Sequence, residues 1–481
     1  MSLFAPDPGF EDPTRHLPFK EKFIGDRAFY RMALAVAVPI IIQNGITNFV
    51  NMRDNVMVGR VGTLQMTGVS VVNTLVFVYN LCIFGGLSGI GIFTAQFFGK
   101  KDLHGIRDSF RMKLWVGLFL TAAAGLVFVL FGEPLIRFYL HGDGVEAQIE
   151  ETLSYGLQYV RIILVSFPAF MLLQVYASSL RECGETVVPM TAGLIAVVLN
   201  LSLNYLLIYG KLGFPALGVR GAALATAVSR YAELLILLIY THTHSTKHPW
   251  VSGLYRTFLV EKTHMAGYVT KGIPLLLNEA LWSSGMATLA QCYSTRGLDA
   301  VAAMNISQTV SNVLNTIYLA TGVSIGILVG QRLGSGQLAE AKRLDNKMIF
   351  LSLMFSLVTM MMTLALSHVF PEVYETGPEV KALAAGMLVV YALFAPVNSF
   401  NNASYFTLRS GGKTVITFLF DSGFVWAVSV PAALLLSRFT GIGVIPLLVL
   451  VSLLDIIKTV IGYVMLRQNI WVNNIVGEKN V

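Results

Sequence analysis

A polar face on an otherwise apolar helix is the feature of this sequence best suited to chemistry. Asp54 lies near the end of the first long apolar run, which begins near Ala33. Side chains three or four positions apart share one face of a helix, and Asp54 lies one turn from Asn51. Four amides at such spacings form that face: Asn44, Asn48, Asn51 and Asn55.

A carboxylate inside a membrane span costs several kcal/mol when ionised, so its presence predicts a function. Asp54 can take up and release a proton, or hold a sodium ion together with neighbouring amide oxygens. Arg53 is its neighbour in the chain. Adjacent helical residues point about 100° apart, so we expect Arg53 to reach the outer interface rather than to pair with Asp54.

A second carboxylate falls within a later apolar run. Glu279 follows Pro274 by five residues, and Asn278 is beside it. Two interpretations stay open: a second cation site, or an acid bonded to the backbone where the proline interrupts helical hydrogen bonding. Other amides and hydroxyls that we place in spans are Asn200, Asn204, Thr226, Asn398 and Asn402.

The remaining charged and metal-ligating residues favour structural roles. Asp455 and Lys458 are three apart and are expected to pair on one helix face, and Asp421 is left without a role. We interpret Cys82, Cys183 and Cys292 as packing residues rather than disulfide partners or metal ligands. Four histidines cluster in one polar segment, where a solvated loop is favoured over a metal site: His242, His244, His248 and His264. No cofactor and no metal beyond Na⁺ at Asp54 is predicted.

The elements that position these groups are membrane helices. The chain has 481 residues, of which 55% are hydrophobic and only 13% charged, against about 25% charged in soluble domains. Apolar runs of about 20 residues recur along the whole length. Twelve spans are predicted, beginning near Ala33, Thr67, Leu114, Leu153, Val187, Gly218, Ala266, Val301, Ile349, Leu383, Thr414 and Val444.

The net charge of +7 is explained by topology. Most of the 34 Lys and Arg residues lie in the two terminal segments and in alternate loops on the same side. This is the positive-inside pattern, which predicts that both termini are cytoplasmic. We therefore expect a lipid bilayer, and no nucleic acid, as the partner of the basic residues.

The two halves of the chain repeat each other. At a shift of 235 positions, identical residues include Pro39 and Pro274, Asn80 and Asn315, Gly91 and Gly326, Gln96 and Gln331, and Gly99 and Gly334. At a shift of 228, Pro168, Leu180, Arg181, Gly184 and Thr186 match Pro396, Leu408, Arg409, Gly412 and Thr414. Duplicated membrane halves are typical of secondary transporters.

The predicted fold is an all-α integral membrane protein with 12 transmembrane helices. An even number of spans in each half predicts two six-helix lobes related by a pseudo-two-fold axis along the membrane normal. The expected segments are a cytoplasmic N-terminal segment (1–31), an N-lobe (32–241), a cytoplasmic linker (242–264), a C-lobe (265–468) and a cytoplasmic tail (469–481).

Several short motifs resemble the multidrug and toxic compound extrusion (MATE) family, and within it the bacterial DinF-like branch. The resemblance extends from about Ala33 to Trp471. Its most specific pieces are Asp54 to Gly59 (DNVMVG), Gln96 to Gly99 (QFFG), Arg181 to Thr186 (RECGET), Asn200 to Tyr205 (NLSLNY) and Gly221 to Thr226 (GAALAT).

The resemblance implies antiport, in which inward flow of H⁺ or Na⁺ drives export of amphipathic, often cationic, organic compounds from a bacterial inner membrane. The family aspartate of span 1 falls on Asp54, and an N-lobe cation site would include Asn200, Asn204 and Thr226. Asn204 stands where that site has a second carboxylate. Glu279 lies about one turn before an acidic position of another branch, where Asn51, Asn278, Asn398 and Asn402 would join it at a second site or cavity.

The predicted antiporter is expected to be a monomer. Two other functions are less favoured than antiport. A lipid-linked oligosaccharide flippase of the same superfamily would be expected to have a strongly basic cavity or additional helices, and the sequence indicates neither. A membrane-embedded enzyme would need paired acids or a Ser, Cys or His constellation at membrane depth, and no histidine lies in the middle of a predicted span. The sequence therefore predicts a transporter and no enzymatic activity.

Overall fold

A computed structural model describes residues 10–59, 62–140, 146–374 and 376–477. Within the first long helix, the side chains of residues 48–56 and 59 lie outside this description. The side chains of Asn51 and Asp54 are therefore among those about which the structure gives no information. The described residues form helices, turns and loops without a strand.

The first half of the chain contains a short helix followed by seven longer ones. They are α1 (Phe19–Phe23), α2 (Arg27–Gly59), α3 (Thr63–Lys100), α4 (Leu103–Tyr139), α5 (Glu146–Ile163), α6 (Ser166–Glu182), α7 (Val187–Tyr209) and α8 (Val219–Thr243). A 3₁₀ turn, Pro249–Val251, lies in the linker that follows.

The second half repeats the succession of long helices. They are α9 (Lys262–Ser294), α10 (Leu298–Gly334), α11 (Leu338–Leu366), α12 (Pro378–Ser410), α13 (Thr414–Phe418), α14 (Val430–Phe439) and α15 (Val444–Arg467). A 3₁₀ turn, Phe370–Val373, precedes α12, and two π-helical segments, Leu419–Gly423 and Val425–Ser429, join α13 to α14.

The predicted span 4 is bent rather than straight. Its two helices, α5 and α6, meet at an angle of 50° across Leu164 and Val165. Pro168 explains the break, because its ring would clash with the carbonyl of residue 164 in a continuous helix and it has no N–H to donate. The same proline is one of the residues repeated in the second half.

Ten described helices are long and apolar enough to cross a membrane, and the bent pair makes eleven. α9 is absent from that set although its 33 residues would extend about 50 Å. Asn278 and Glu279 near its centre, with Ser283 and Ser284 following, lower its hydropathy. A long helix outside that set thus carries candidate functional groups.

The described residues group into two compact units. Unit 1 comprises those within Met1–Ile41, Ala95–Asp102 and Val269–Val481, and unit 2 comprises Ile42–Thr94 and Leu103–Tyr268. Unit 1 thus includes the C-terminal end of α3 together with α10 to α15. The lobe boundaries given by the sequence repeat stay a prediction.

The repeated glutamine and glycine residues contact each other inside unit 1. A Cβ atom added at Gly99 would overlap the carbonyl of Gln331, and one added at Gly334 would overlap the carbonyl of Gln96. The two copies of the motif thus approach backbone to backbone, in a reciprocal way. Close approach of this kind requires glycine, since any side chain would separate the helices.

The C-terminal segment packs beside this contact between the two copies of the motif. The Gln96 side chain accepts a hydrogen bond from the backbone N–H of Ile475 at 2.9 Å, and its Nε2 donates to the carbonyls of Ser410 at 2.9 Å and Asn473 at 3.3 Å. Lys100 Nζ donates to the carbonyl of Val476 at 2.9 Å. Residues 470–472 and 476 are buried, with the Trp471 indole fully enclosed.

Replacing Gly334 with alanine tests the reciprocal contact. We expect Gly334→Ala to destabilise the detergent-solubilised protein by about 1–3 kcal/mol, because the obstructing atom is backbone and cannot rotate away. Thermal unfolding followed by loss of the monodisperse chromatographic peak measures the effect.

Gly272→Ala is the matched control, since a Cβ there meets no atom within 4 Å. It should leave stability unchanged or raise it slightly, because alanine favours helix. Equal behaviour of the two variants would contradict the close packing at Gly334.

Candidate ion and substrate site

The structure pairs Lys458 with a different carboxylate from the one the spacing predicts. Lys458 Nζ lies 2.7 Å from Asp421 Oδ1, and both side chains are largely buried. The predicted partner, Asp455, forms no ion pair within 4.0 Å among the described residues, although it lies within electrostatic range of Lys458. Asp421 lies in the π-helical segment Leu419–Gly423, and the predicted Asp455–Lys458 pair is therefore wrong.

The second oxygen of Asp421 is held by Asn278. Asn278 Nδ2 donates to Asp421 Oδ2 at 3.0 Å, while Asn278 Oδ1 accepts from the hydroxyl and the N–H of Ser422 at 2.8 and 3.3 Å. Asn278 is only 1% exposed. Its side chain thus fixes the middle of α9 against the π-helical segment.

Glu279 lies beside this pair in a different situation. Its Oε1 accepts a hydrogen bond from the Tyr405 hydroxyl at 3.1 Å. Arg409 and Asp421 are near enough to act on it electrostatically. Within the described part of the chain, however, no basic nitrogen lies within the 4.0 Å of an ion pair with Glu279.

We call these five residues the C-half cluster: Asn278, Glu279, Tyr405, Asp421 and Lys458. It contains two carboxylates and one ammonium, all on helices of unit 1. Lys458 neutralises Asp421 through a direct contact. Glu279 has the Tyr405 hydroxyl, rather than a basic nitrogen, as the hydrogen-bond partner of Oε1.

The two asparagines predicted in span 5 do come together. Asn204 Nδ2 donates to Asn200 Oδ1 at 3.1 Å, and both side chains are buried in unit 2. Thr226 on α8 instead donates to the carbonyl of Ala222 in its own helix at 3.1 Å. The structure describes no contact that joins Thr226 to the asparagine pair.

The remaining predicted site residues belong to α12 and α2. Asn398 and Asn402 lie half-buried on α12. The Asn402 amide packs against Gly322 of α10, and its Nδ2 has no hydrogen-bond partner among the described residues. Asn51 and Asp54, with the Na⁺ site predicted there, stay untested because their side chains lie outside the described part of α2.

The repeat also pairs Gln43 with Asn278, and Gln43 was missed in the sequence because the repeat was not followed to its polar residues. Gln43 and Asn278 each lie four residues after a repeated proline, at the shift of 235. Gln43 Nε2 donates to the carbonyl of Pro189 at 3.4 Å, and its Oε1 accepts from Arg181 at 3.4 Å. In each unit, this amide thus attaches the proline-containing helix to the fifth span of its half.

Substitutions at Lys458 and Asp421 test how much their ion pair stabilises the protein. We expect Lys458→Met to destabilise the protein by about 3–5 kcal/mol, because it leaves a buried carboxylate without its cation. Asp421→Asn in the same chain should restore much of the loss. Thermal unfolding of the two single variants and the double variant gives the coupling energy, and simple additivity of the two effects would contradict the pairing.

Comparison with known proteins supports a family assignment. The MatE family model matches residues 39–206 and 274–433, more than half of the chain. The two matches begin at the repeated prolines, so the family match and the internal repeat coincide.

Curated relatives match most of the chain at low identity. A protein named probable multidrug resistance protein YoeA from Bacillus subtilis is 25% identical over 85% of this chain and 87% of its own length. One named probable multidrug resistance protein NorM from Pasteurella multocida is 25% identical over 87% and 89%.

A solved structure shares the fold. It is titled as an outward-facing conformation of a multidrug resistance MATE family transporter, and it matches with a TM-score of 0.80 at 18% identity over 94% of this chain and 97% of its own. The predicted fold class is confirmed, and α9 completes the twelve membrane helices. The chain belongs to the MatE family of membrane transporters.

Proposed function

We propose that the protein is a secondary active antiporter that exports amphipathic, often cationic, organic compounds in exchange for H⁺ or Na⁺, by alternating access. Its family membership and the multidrug resistance names of its relatives support the transport of small organic molecules. The observation that carries the coupling is the state of Glu279, a carboxylate in a membrane helix without an ion pair in the described part of the chain.

A carboxylate in this position favours competition between cations. When Glu279 holds a proton or a sodium ion, a positively charged substrate loses its attraction to the site. When the ion leaves, the uncompensated charge favours the substrate. Antiport requires only that the two ligands stabilise different conformations of the carrier, each by a few kcal/mol.

The C-half cluster supplies a fixed frame for this exchange. Lys458 and Asn278 satisfy both oxygens of Asp421, so that carboxylate is occupied by protein groups. Tyr405 donates a hydrogen bond to Oε1 of Glu279, and no basic side chain of the described residues lies within ion-pair distance of this carboxylate. Asp54 is proposed as a further proton or sodium site, with Asn200 and Asn204 of unit 2 contributing amide oxygens.

The setting of the transporter follows from charge distribution and relatives. We place the chain in a bacterial inner membrane, as a monomer with both termini in the cytoplasm. The excess of Lys and Arg in the terminal segments and alternate loops supports this orientation. Assignment to the DinF-like branch is retained as part of the same proposal.

Transport in inverted membrane vesicles tests the proposal. A fluorescent cationic dye is supplied outside, and uptake is recorded under an imposed proton gradient or an imposed sodium gradient. We expect one of the two gradients to drive uptake by the wild type. Glu279→Gln should slow uptake at least about tenfold at low dye concentration, because a charge-assisted contact of about 1.5–3 kcal/mol is lost.

Glu379→Gln is the matched control, since this acid is exposed at the first turn of α12. It should transport as the wild type does, and Asp54→Asn should abolish the response to the gradient. Full activity of Glu279→Gln would remove Glu279 from the mechanism. Absence of gradient-driven uptake in the wild type, with transbilayer movement of a lipid-linked oligosaccharide instead, would replace the antiporter with the flippase.

A further inference from the structure

A group of metal-ligating side chains lies outside the C-half cluster, where two helices of unit 2 begin. His104 and Asp108 occupy the first turns of α4, and Glu261 and His264 lie at the start of α9. We call these four residues the linker cluster. They come from places more than 150 positions apart in the chain, and the fold brings them together.

His104, Asp108 and Glu261 each bring one ligand atom to within 4.8 Å of the others, and His264 adds a fourth ligand atom close to both carboxylates. Asp108 Oδ2 lies 3.3 Å from His264 Nδ1 and 3.7 Å from His104 Nδ1. Glu261 Oε2 lies 3.8 Å from His264 Nδ1 and 3.9 Å from His104 Nδ1. A tetrahedral zinc ion with bonds of about 2.0–2.1 Å separates its ligands by about 3.3 Å. Four of the six ligand pairs are thus near the required separation.

Asp108 presents Oδ2 to the two histidines, and this oxygen also accepts the backbone N–H of Glu261 at 3.3 Å. Asp108 Oδ1 is 3.1 Å from Arg111 Nη1, and Arg111 itself donates to the carbonyls of Leu254 and Gly253. The guanidinium therefore orients the carboxylate from the side away from the histidines. A second contact of this type, which fixes a ligating carboxylate, is common around metal sites.

Each of the two helices contributes one histidine and one carboxylate at helical spacing. His104 and Asp108 are four apart on α4, and Glu261 and His264 are three apart at the start of α9. The prediction of a solvated loop for the four linker histidines is wrong for His264, which lies beside two carboxylates. His242 instead hydrogen-bonds to Tyr176 at 3.0 Å, and His244 stacks on Tyr240.

We propose that the linker cluster binds one divalent transition-metal ion, for which zinc is the probe. Two imidazoles and two carboxylates suit Zn²⁺ better than Ca²⁺ or Mg²⁺, which prefer oxygen ligands alone. The ion ties the first turns of α4 to the start of α9. It thereby fixes the end of the linker at the point where the chain enters the helix that carries Glu279.

The test uses the full-length protein in detergent, purified without a polyhistidine tag. Calorimetric titration with ZnCl₂ should show one site per chain. Loss of a direct ligand should weaken binding at least tenfold, since loss of outer contacts alone costs about 10- to 100-fold. His104→Ala and Glu261→Gln are the variants of choice, because both side chains are exposed and their loss leaves the buried Asp108–Arg111 pair intact.

His244→Ala is the matched control, an exposed linker histidine outside the linker cluster. It should bind zinc as the wild type does, and cobalt substitution in wild type and control should give the visible absorption of a four-coordinate site. Absence of zinc binding by the wild type overturns the proposal. Binding that His104→Ala and Glu261→Gln leave unchanged overturns it as well.

Discussion

The cost of placing an ionised group in a membrane governs the described architecture. The ion pair between Lys458 and Asp421 offsets this cost for both side chains, and Asn278 donates a hydrogen bond to the second oxygen of the carboxylate. Glu279, next to Asn278 in the chain, lacks a basic partner within ion-pair distance in the described residues. The proposed exchange of cations needs this asymmetry, because one carboxylate must be satisfied permanently so that the other can exchange its partner.

The duplication of the chain explains why the same local sequence pattern occurs in both halves. A proline followed four residues later by an amide occurs in α2 and α9, and each amide bonds to the fifth span of its own half. The partners differ, since Gln43 meets Arg181 and a backbone carbonyl while Asn278 meets an aspartate. Both halves thus tie the helix that contains the repeated proline to the fifth span through an amide, while the charged residue beside that amide differs between them.

Sequence reasoning succeeded where the physical signal is local. Apolar length predicted the spans, and the repeated Pro, Gly and Gln residues predicted the duplication to which the family model responds twice. Helical spacing also places Asn200 and Asn204 on one face of span 5, where the structure shows a hydrogen bond between them. These inferences need only the period of a helix and the composition of a membrane.

Contacts between distant helices could not be predicted in the same way. Spacing suggested that Lys458 pairs with Asp455, but a π-helical segment turns Asp421 toward it, and no single-sequence pattern marks that segment. The sequence grouped four histidines because they are close together in the chain. In the fold, only His264 of these four lies in the linker cluster, together with His104 from a separate helix. Whether Asp54 binds an ion stays a prediction, since its side chain lies outside the described residues.

The contacts of Gln96 with the C-terminal segment have a consequence for biosynthesis. Its partner at Ile475 is 379 residues further along the chain, so at roughly 5–20 residues per second the ribosome needs roughly 20 to 80 s to supply it. During that interval the polar end of α3 lacks its final partners. Completion of unit 1 is therefore delayed until translation is almost finished. A chain truncated before residue 470 would leave the Gln96 side-chain oxygen without its donor at Ile475 and would expose to cellular quality control the apolar surface that residues 470–472 and 476 pack against.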